Sequence, residues 1–444
     1  MPGFDRISEL PESLISQILL HLPTKDSVKT SVLSTRWKNL WLNVPGLDLN
    51  CRDFPFDNNV LIDFIDRFLQ FSPESRLLKF KVDHSRDEII KFPDRIRDAV
   101  NRGIRVLDVV SNTYYQDADD GLVYPCIEFM PLNLYTSTTL VSLKLSFSGL
   151  QDPGFVYMPC LKFMHLREVR WHSSGTMNLE KLVSGCPVLE ELIYLHDDES
   201  VVTRVRSRSL KRFSIPSEHS ISCFRRVVQT FEIDAPGLEY MSLKEDHFDR
   251  FVVKNLTSLF MIDLDIKFIF GFGRMFRNEI RDFLTGISSV SHMIISHQTV
   301  KALHIYSKVG PIPKFNNLSR LQAEFPSSLL QFLPAFLESF PNLKHLILEI
   351  AYSEHVMEEF ELVNVPGCFV STLERVEIKG LFDWGEDDLK IASYFLENSA
   401  VLEKLIVCFM GCPQHYSESD IYEELNKVTK RSRRCQIIID AELE

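Results

Sequence analysis

The hexamer Leu343-Lys344-His345-Leu346-Ile347-Leu348 decides the fold. Its aliphatic residues stand at the first, fourth and sixth positions, and the last two carry the two-residue period of a strand with a buried face. The pattern returns in Leu140-Val141-Ser142-Leu143-Lys144-Leu145 and Leu189-Glu190-Glu191-Leu192-Ile193-Tyr194. Further copies begin at Leu77, Ile104, Leu161, Leu210, Leu238, Leu256, Val290, Leu318, Leu373 and Leu402, with Ile104 and Val290 the poorest matches. The mean interval is about 27 residues, the length of one strand plus a return segment.

Two regularities support this register. Pro159, Pro187, Pro236 and Pro341 each stand two residues before a copy, where a fixed φ ends one element and feeds a strand. The apolar pairs Leu182-Val183, Phe336-Leu337 and Phe395-Leu396 lie at a constant distance upstream and close amphipathic helices, such as Leu329 to Phe340 and Asp388 to Glu397. Strand and helix in alternation predict an α/β solenoid of leucine-rich-repeat type, made irregular by its uneven intervals. The segment 50–120 holds the least regular copies.

The first fifty residues read differently. Leu10, Leu14, Ile18 and Leu22, with Ile15 and Leu19 beside them, form a helical apolar stripe of unusual width. Pro11 suits a first turn, and Pro23 stops the helix. A second helix is expected from Lys25 to Leu33 with Val28 and Val32 inward. Ser34 would cap a third that sets Trp37 and Trp41 on one face. Three such helices are too small to bury this much apolar surface, which predicts a helical cap or a docking module.

Composition narrows the classes. The 444 residues carry a net charge of −12, which argues against electrostatic capture of nucleic acid. No uncharged apolar run is long enough to span a membrane, and Asp5, Arg6 and Glu9 stand where a signal peptide needs another pattern, so an intracellular protein is expected. Nine scattered cysteines make no disulfide framework and are read as buried thiols; Cys408 and Cys412 lack a second ligand pair for zinc.

Catalytic motifs are missing from the sequence as read. Gly271-Phe272-Gly273 lacks a third glycine, His292 and His297 do not form a zinc helix motif, and Asp117, Asp119 and Asp120 lack the ligand pattern of a calcium loop. No cofactor, metal or catalytic residue is expected. Lys430-Arg431-Ser432-Arg433-Arg434 reads either as a nuclear signal or as a solvated turn.

The runs Asp5-Arg6-Ile7-Ser8-Glu9-Leu10-Pro11-Glu12, Ile18-Leu19-Leu20-His21-Leu22-Pro23-Thr24-Lys25-Asp26 and Ser31-Val32-Leu33-Ser34-Thr35-Arg36-Trp37-Lys38-Asn39-Leu40-Trp41 resemble an F-box. More narrowly they resemble the F-box of the plant F-box/leucine-rich-repeat/FBD proteins. The stretch from Leu373-Glu374-Arg375-Val376-Glu377-Ile378-Lys379-Gly380 through Ala392 to Asn398 and on to Leu402-Glu403-Lys404-Leu405 is similar to the FBD domain of that family.

The resemblance implies an F-box at 1–50, a repeat solenoid at 51–361 and an FBD domain at 362–444 that caps it. It implies a Skp1-type adaptor as partner, through it a cullin, and a role as the non-catalytic substrate-recognition subunit of an SCF ubiquitin ligase. It carries Leu10, Pro11, Leu14, Ile18, Trp37, Leu40 and Trp41 over as residues that face Skp1 or support that face. The local charge of +3 from Lys25, Lys29, Arg36 and Lys38 against Asp26 suits an acidic partner. The alternative is a repeat scaffold that binds protein without a ubiquitin role.

The fifth residue of each hexamer should point to the open face of the sheet. Among these, Ile193, Phe260, Ile294, Ile347 and Ile406 are large and apolar, and they form either the expected substrate strip or a set of residues covered by the chain's own loops. Residues 1–50 sum to zero charge, so the −12 lies on the repeats and FBD portion and points to a partner with basic surface.

Overall fold

Every predicted hexamer but one begins a strand at its third residue, the weak copies at Ile104 and Val290 included. The computed structural model describes residues 7, 9–54, 58–71, 76–84, 92–112, 114–116, 123–125, 127–152, 154–172, 178–196, 202–217, 230–244, 250–267, 275–352, 360–410 and 416–442. Gly271-Phe272-Gly273, the Asp117 to Asp120 loop and Cys412 lie outside them. The chain forms two units, Met1–Lys211 and Arg212–Glu444.

In the first unit, Gly46–Asn50, Lys79–His84, Val106–Ser111, Ser142–Ser146, Phe163–Trp171 and Glu191–His196 pair in that order, all parallel. Helices Asn58–Phe71, Pro93–Asn101 and Asn178–Ser184 lie in the connections, as parallel strands require a crossover. The second unit repeats the plan with Arg212–Ile215, Tyr240–Leu243, Met261–Leu264, His292–Ile295, Arg320–Pro326, His345–Ala351, Arg375–Leu381, Lys404–Met410 and Gln436–Glu442. The fourth and sixth hexamer residues are buried in every repeat but the last, where Ile439 is half-buried; examples are Leu143 and Leu145, Leu346 and Leu348, Val376 and Ile378. Phenylalanines fill the layer behind the second ladder: Phe325, Phe336 and Phe340 are fully buried in edge or tilted contacts at 4.9–5.9 Å.

The exception is the copy assigned to Leu256. The strand runs Met261–Leu264, with Tyr240 opposite Met261, so the hexamer starts at Leu259. Leu256-Thr257-Ser258-Leu259-Phe260-Met261 and Leu259-Phe260-Met261-Ile262-Asp263-Leu264 both satisfy the pattern, and pairing selects the second. The predicted helix Leu329 to Phe340 is instead a 3-10 segment, Ser327–Phe332, followed by one α turn, Leu333–Leu337. One further repeat escaped the pattern and starts at Val44, within the N-terminal fifty residues. The apolar run Cys435 to Ile439 predicts a final strand, found as Gln436–Glu442, and its hexamer starts at Arg434, which is not aliphatic.

Hydroxyls stitch successive repeats together. The residue just before the first hexamer position donates to the carbonyl of that position one repeat earlier: Thr139 Oγ1 to Ile104 at 2.9 Å, Ser209 Oγ to Leu189 at 2.9 Å and Thr372 Oγ1 to Leu343 at 2.8 Å. These bonds satisfy carbonyls at the ladder's end that would otherwise lose water on burial. Near the C-terminus Gly380, at φ +82°, forms the irregularity in Arg375–Leu381; a Cβ there would meet the Ile350 carbonyl at 2.8 Å. Among the described residues no helix is long and apolar enough to cross a membrane.

The helix Glu386–Asn398 begins on Asp388, whose Oδ2 accepts from the Gly385 N–H at 3.0 Å while Oδ1 accepts from the Tyr352 hydroxyl at 2.7 Å. Burial pushes the Asp388 carboxyl up to about 6, and the two donated bonds offset only part of that. A carboxyl raised in the folded state stabilises fully below its unfolded value near 4, and the contribution is lost as pH rises through about 6. The wild type should therefore lose up to roughly 3 kcal/mol between those pH values relative to Asp388→Asn. Urea unfolding of both proteins across this range measures the difference in slope.

Candidate functional site

The helix Glu12–Leu19 carries two apolar stripes. Ile15 and Leu19 face inward and join Trp37, Leu40 and Val44 in one buried cluster, with Leu10 and Leu20 packed against it. Leu14 and Ile18, one position round the helix, stay 44% and 48% exposed. Adjacent residues lie 100° apart on an α-helix, so one helix presents one stripe to the core and the other to solvent. Leu22 and Ile7 are exposed as well.

The next two elements depart from the expected helices. Thr24–Lys29 is α-helical, but Thr30–Val32 tightens to 3-10, and Val32 is 87% exposed rather than inward; Leu33 is exposed beside it. Trp37–Asn43 is also 3-10, and Ser34 does not cap it by its side chain. In a three-residue turn it is i and i+3 that eclipse. Trp37 and Leu40 therefore share the buried face, while Trp41 turns away and stacks on Phe64 of Asn58–Phe71, with ring centroids 6.2 Å apart.

The seven carried-over residues thus separate. Pro11, Leu14 and Ile18 are exposed, Leu10 and Trp41 are half-buried, and Trp37 and Leu40 are core. Val32 and Leu33 are exposed apolar positions that the sequence reading missed, because it extended an α-helix through them. The local positive charge is partly answered within the chain: Lys25 pairs with Asp53 at 2.6 Å and Lys29 with Asp26 at 2.8 Å. Arg36 donates to the Leu10 carbonyl at 2.5 Å.

This module is built into the repeats. Ser27 Oγ donates to the Leu19 carbonyl at 3.0 Å, and Thr24 Oγ1 accepts from the Asp48 N–H of the first ladder strand at 2.8 Å. Leu20 lies directly over Gly46, where a Cβ would meet its Cδ1 at 2.7 Å and the Lys79 Cβ at 2.9 Å.

On the open face of the sheet the expected apolar strip does not hold together. Ile193 and Ile294 are half-buried at the fifth position. Phe260 is half exposed, but it belongs to the second position, and Asp263 takes the place assigned to it. Ile347 and Ile406 are buried, at 4% and 7% exposure. Both are in-register partners of Glu377, whose Oε1 is reached by His345 Nε2 at 2.9 Å and by Arg375 at 2.8 Å. Glu377, in register between the two isoleucines, is thus tied to the third-position residues His345 and Arg375.

Comparison with known proteins finds three family models along the chain. The F-box domain model matches residues 7–48, the model described as FBD-associated F-box protein At5g56370, LRR repeats, matches 96–257, and the FBD model matches 361–407. The chain is 84% identical to F-box/FBD/LRR-repeat protein At1g13780 of Arabidopsis thaliana, over 99% of this chain and 98% of the relative. The chain belongs to the F-box/FBD/LRR-repeat family. It is also 65% identical to FBD-associated F-box protein At5g27750 of the same plant over the full length of both, and 48% identical to putative F-box/FBD/LRR-repeat protein At5g44950 over 98% of this chain and 100% of the relative.

Within this F-box/FBD/LRR-repeat chain, the F-box match ends inside the first ladder strand, Gly46–Asn50. Gly46→Ala should strain the contact between Leu20 and Lys79 and lower stability by about 1–3 kcal/mol, as overpacking does. Chemical unfolding measures this, and the same variant with Leu20→Ala should recover part of the loss.

Proposed function

We propose that this chain is the substrate-recognition subunit of an SCF-type E3 ubiquitin ligase. Its F-box docks to a Skp1-type adaptor and through it to a cullin, and its repeats hold a protein substrate. The observation that carries this reading is the outward stripe of Leu14 and Ile18, on a helix whose inward stripe already fills the core. Solvent exposure of two aliphatic side chains one turn apart is unfavourable in isolation and favourable when a partner covers them.

In this role the chain performs no bond chemistry. It raises the effective concentration of a substrate lysine near the transferring enzyme of the assembly. The division into residues 1–50, 51–361 and 362–444 then reads as adaptor mount, substrate-binding repeats and terminal cap. Work beside a cullin places the protein in the cytoplasm or nucleus.

The docking surface makes a direct prediction. Leu14→Asp with Ile18→Asp should weaken co-purification with a Skp1-type adaptor on the order of a hundredfold, from about 3 kcal/mol of lost apolar burial, and leave the unfolding transition in place. Trp37→Ala should instead cost about 3–5 kcal/mol of stability, because it empties the core of the module. Retention of the adaptor by the aspartate pair would overturn the assignment of this face.

A further inference from the structure

The third hexamer position of the second unit carries a row of basic residues. His292, Arg320, His345, Arg375 and Lys404 are successive in-register partners on five neighbouring strands. Strands stand about 4.8 Å apart, so the row is about 19 Å long. Like charges directly opposite each other on a sheet are destabilising.

The charged row of the first unit, at the fifth position, is built differently. It reads Asp48, Lys81, Asp108, Lys144, with opposite signs side by side, and Lys81 sits 3.8 Å from Asp108. In the second unit, among the described residues, the acidic group that answers the row is Glu377, which pairs with His345 and Arg375 together. Arg320 and Lys404 are exposed and make no ion pair among the described residues. At one end Phe260 sets its ring edge-on to His292 at 4.4 Å and remains half exposed.

We propose that this row is the docking site for an acidic, carboxylate-rich segment of the substrate protein, with Arg320 and Lys404 as its principal contacts. The inference rests on the reading of the repeats as a protein-binding surface and adds the chemistry of what they bind. An extended chain advances about 3.3–3.6 Å per residue, so about six residues span the row. Guanidinium and ammonium groups bound to carboxylates form charge-assisted hydrogen bonds, and an anionic guest removes the repulsion that the free row contains. The −12 of the whole chain pointed to a basic partner; the arrangement of charge on this face points the other way.

The two histidines add a pH dependence. Burial lowers the His345 imidazole, Arg320 and Arg375 lower it further, and Glu377 opposes them. Burial and then Arg320 lower His292. Both lose their proton more readily than a free histidine does, and carboxylates brought beside them favour its return. Binding should therefore tighten as pH falls from about 8 to 6.

The experiment is fluorescence anisotropy of a labelled Glu-rich peptide of about six to eight residues with the full chain. Arg320→Glu with Lys404→Glu should weaken binding at least about tenfold, and the neutral pair Arg320→Gln with Lys404→Gln at least about threefold. Lys308→Glu, an exposed site on a helix end, should leave binding unchanged. Circular dichroism confirms that each variant is folded.

Absence of peptide binding, undiminished binding by both charge variants, or tighter binding of an RNA oligonucleotide than of the peptide would overturn the proposal. Adaptor co-purification is read on the same proteins. Its loss in the wild type strikes the F-box docking alone, whereas failed peptide binding with the adaptor retained strikes the row alone.

Discussion

Within each unit the structure depends on in-register parallel pairing. Strands of four to nine residues have no stability of their own, and each gains it only from the copy on either side. Because the pairing joins equivalent hexamer positions, every position becomes a row. The fourth and sixth rows are apolar and form the buried face; the third and fifth face outward. A slip by one residue would exchange them and bury Arg320, Lys404 or Asp108 beneath the ladder. The same register that makes the core continuous makes the surface charge continuous too, which is how residues about thirty apart in sequence come to act as one surface.

The F-box solves a different problem with the same apolar residue types. It has too few residues to bury all of its apolar side chains, so its first helix divides them between two stripes. The change from α to 3-10 geometry after Lys29 then determines which residues turn inward. With three residues per turn, Trp37 and Leu40 enter the core together and Trp41 is released to stack on the helix of the next repeat. One tryptophan holds the module closed, and the other fastens it to the repeats.

Much of the architecture was legible in the sequence because the two-residue apolar period survives even in poor copies such as Ile104 and Val290. Where the reading failed, the residues themselves were ambiguous. Leu259 is the fourth residue of one valid hexamer and the first of another, and only the partner strand decides. Val44 was hidden behind Pro45 and Gly46 at the end of a helical stretch, and Arg434 breaks the aliphatic rule. Thr139, Ser209 and Thr372 looked like variable residues, although a hydroxyl just before the leucine is the signal. At the F-box, the apolar pattern alone shows one wide stripe and does not separate the outward Leu14 and Ile18 from the inward Ile15 and Leu19. Val32 falls on the inner face of the expected helix because a 3-10 turn leaves no mark in that pattern. The apolar strip failed for another reason: alternation fixes which face a side chain takes, not how much of it stays exposed there.

Residues 44–50 belong to two modules at once. Val44 completes the F-box cluster, and Gly46–Asn50 is the first rung of the ladder, with Thr24 bonded to Asp48 across the junction. A recombinant made by exchanging F-boxes at the end of the third helix would therefore cut through a shared core. An exchange after Asn50 keeps the F-box cluster whole but still parts Gly46–Asn50 from its partner strand Lys79–His84 and Trp41 from Phe64. Wherever the cut falls, an exchanged F-box has to match the repeat it joins, because the first strand packs on both sides of the junction.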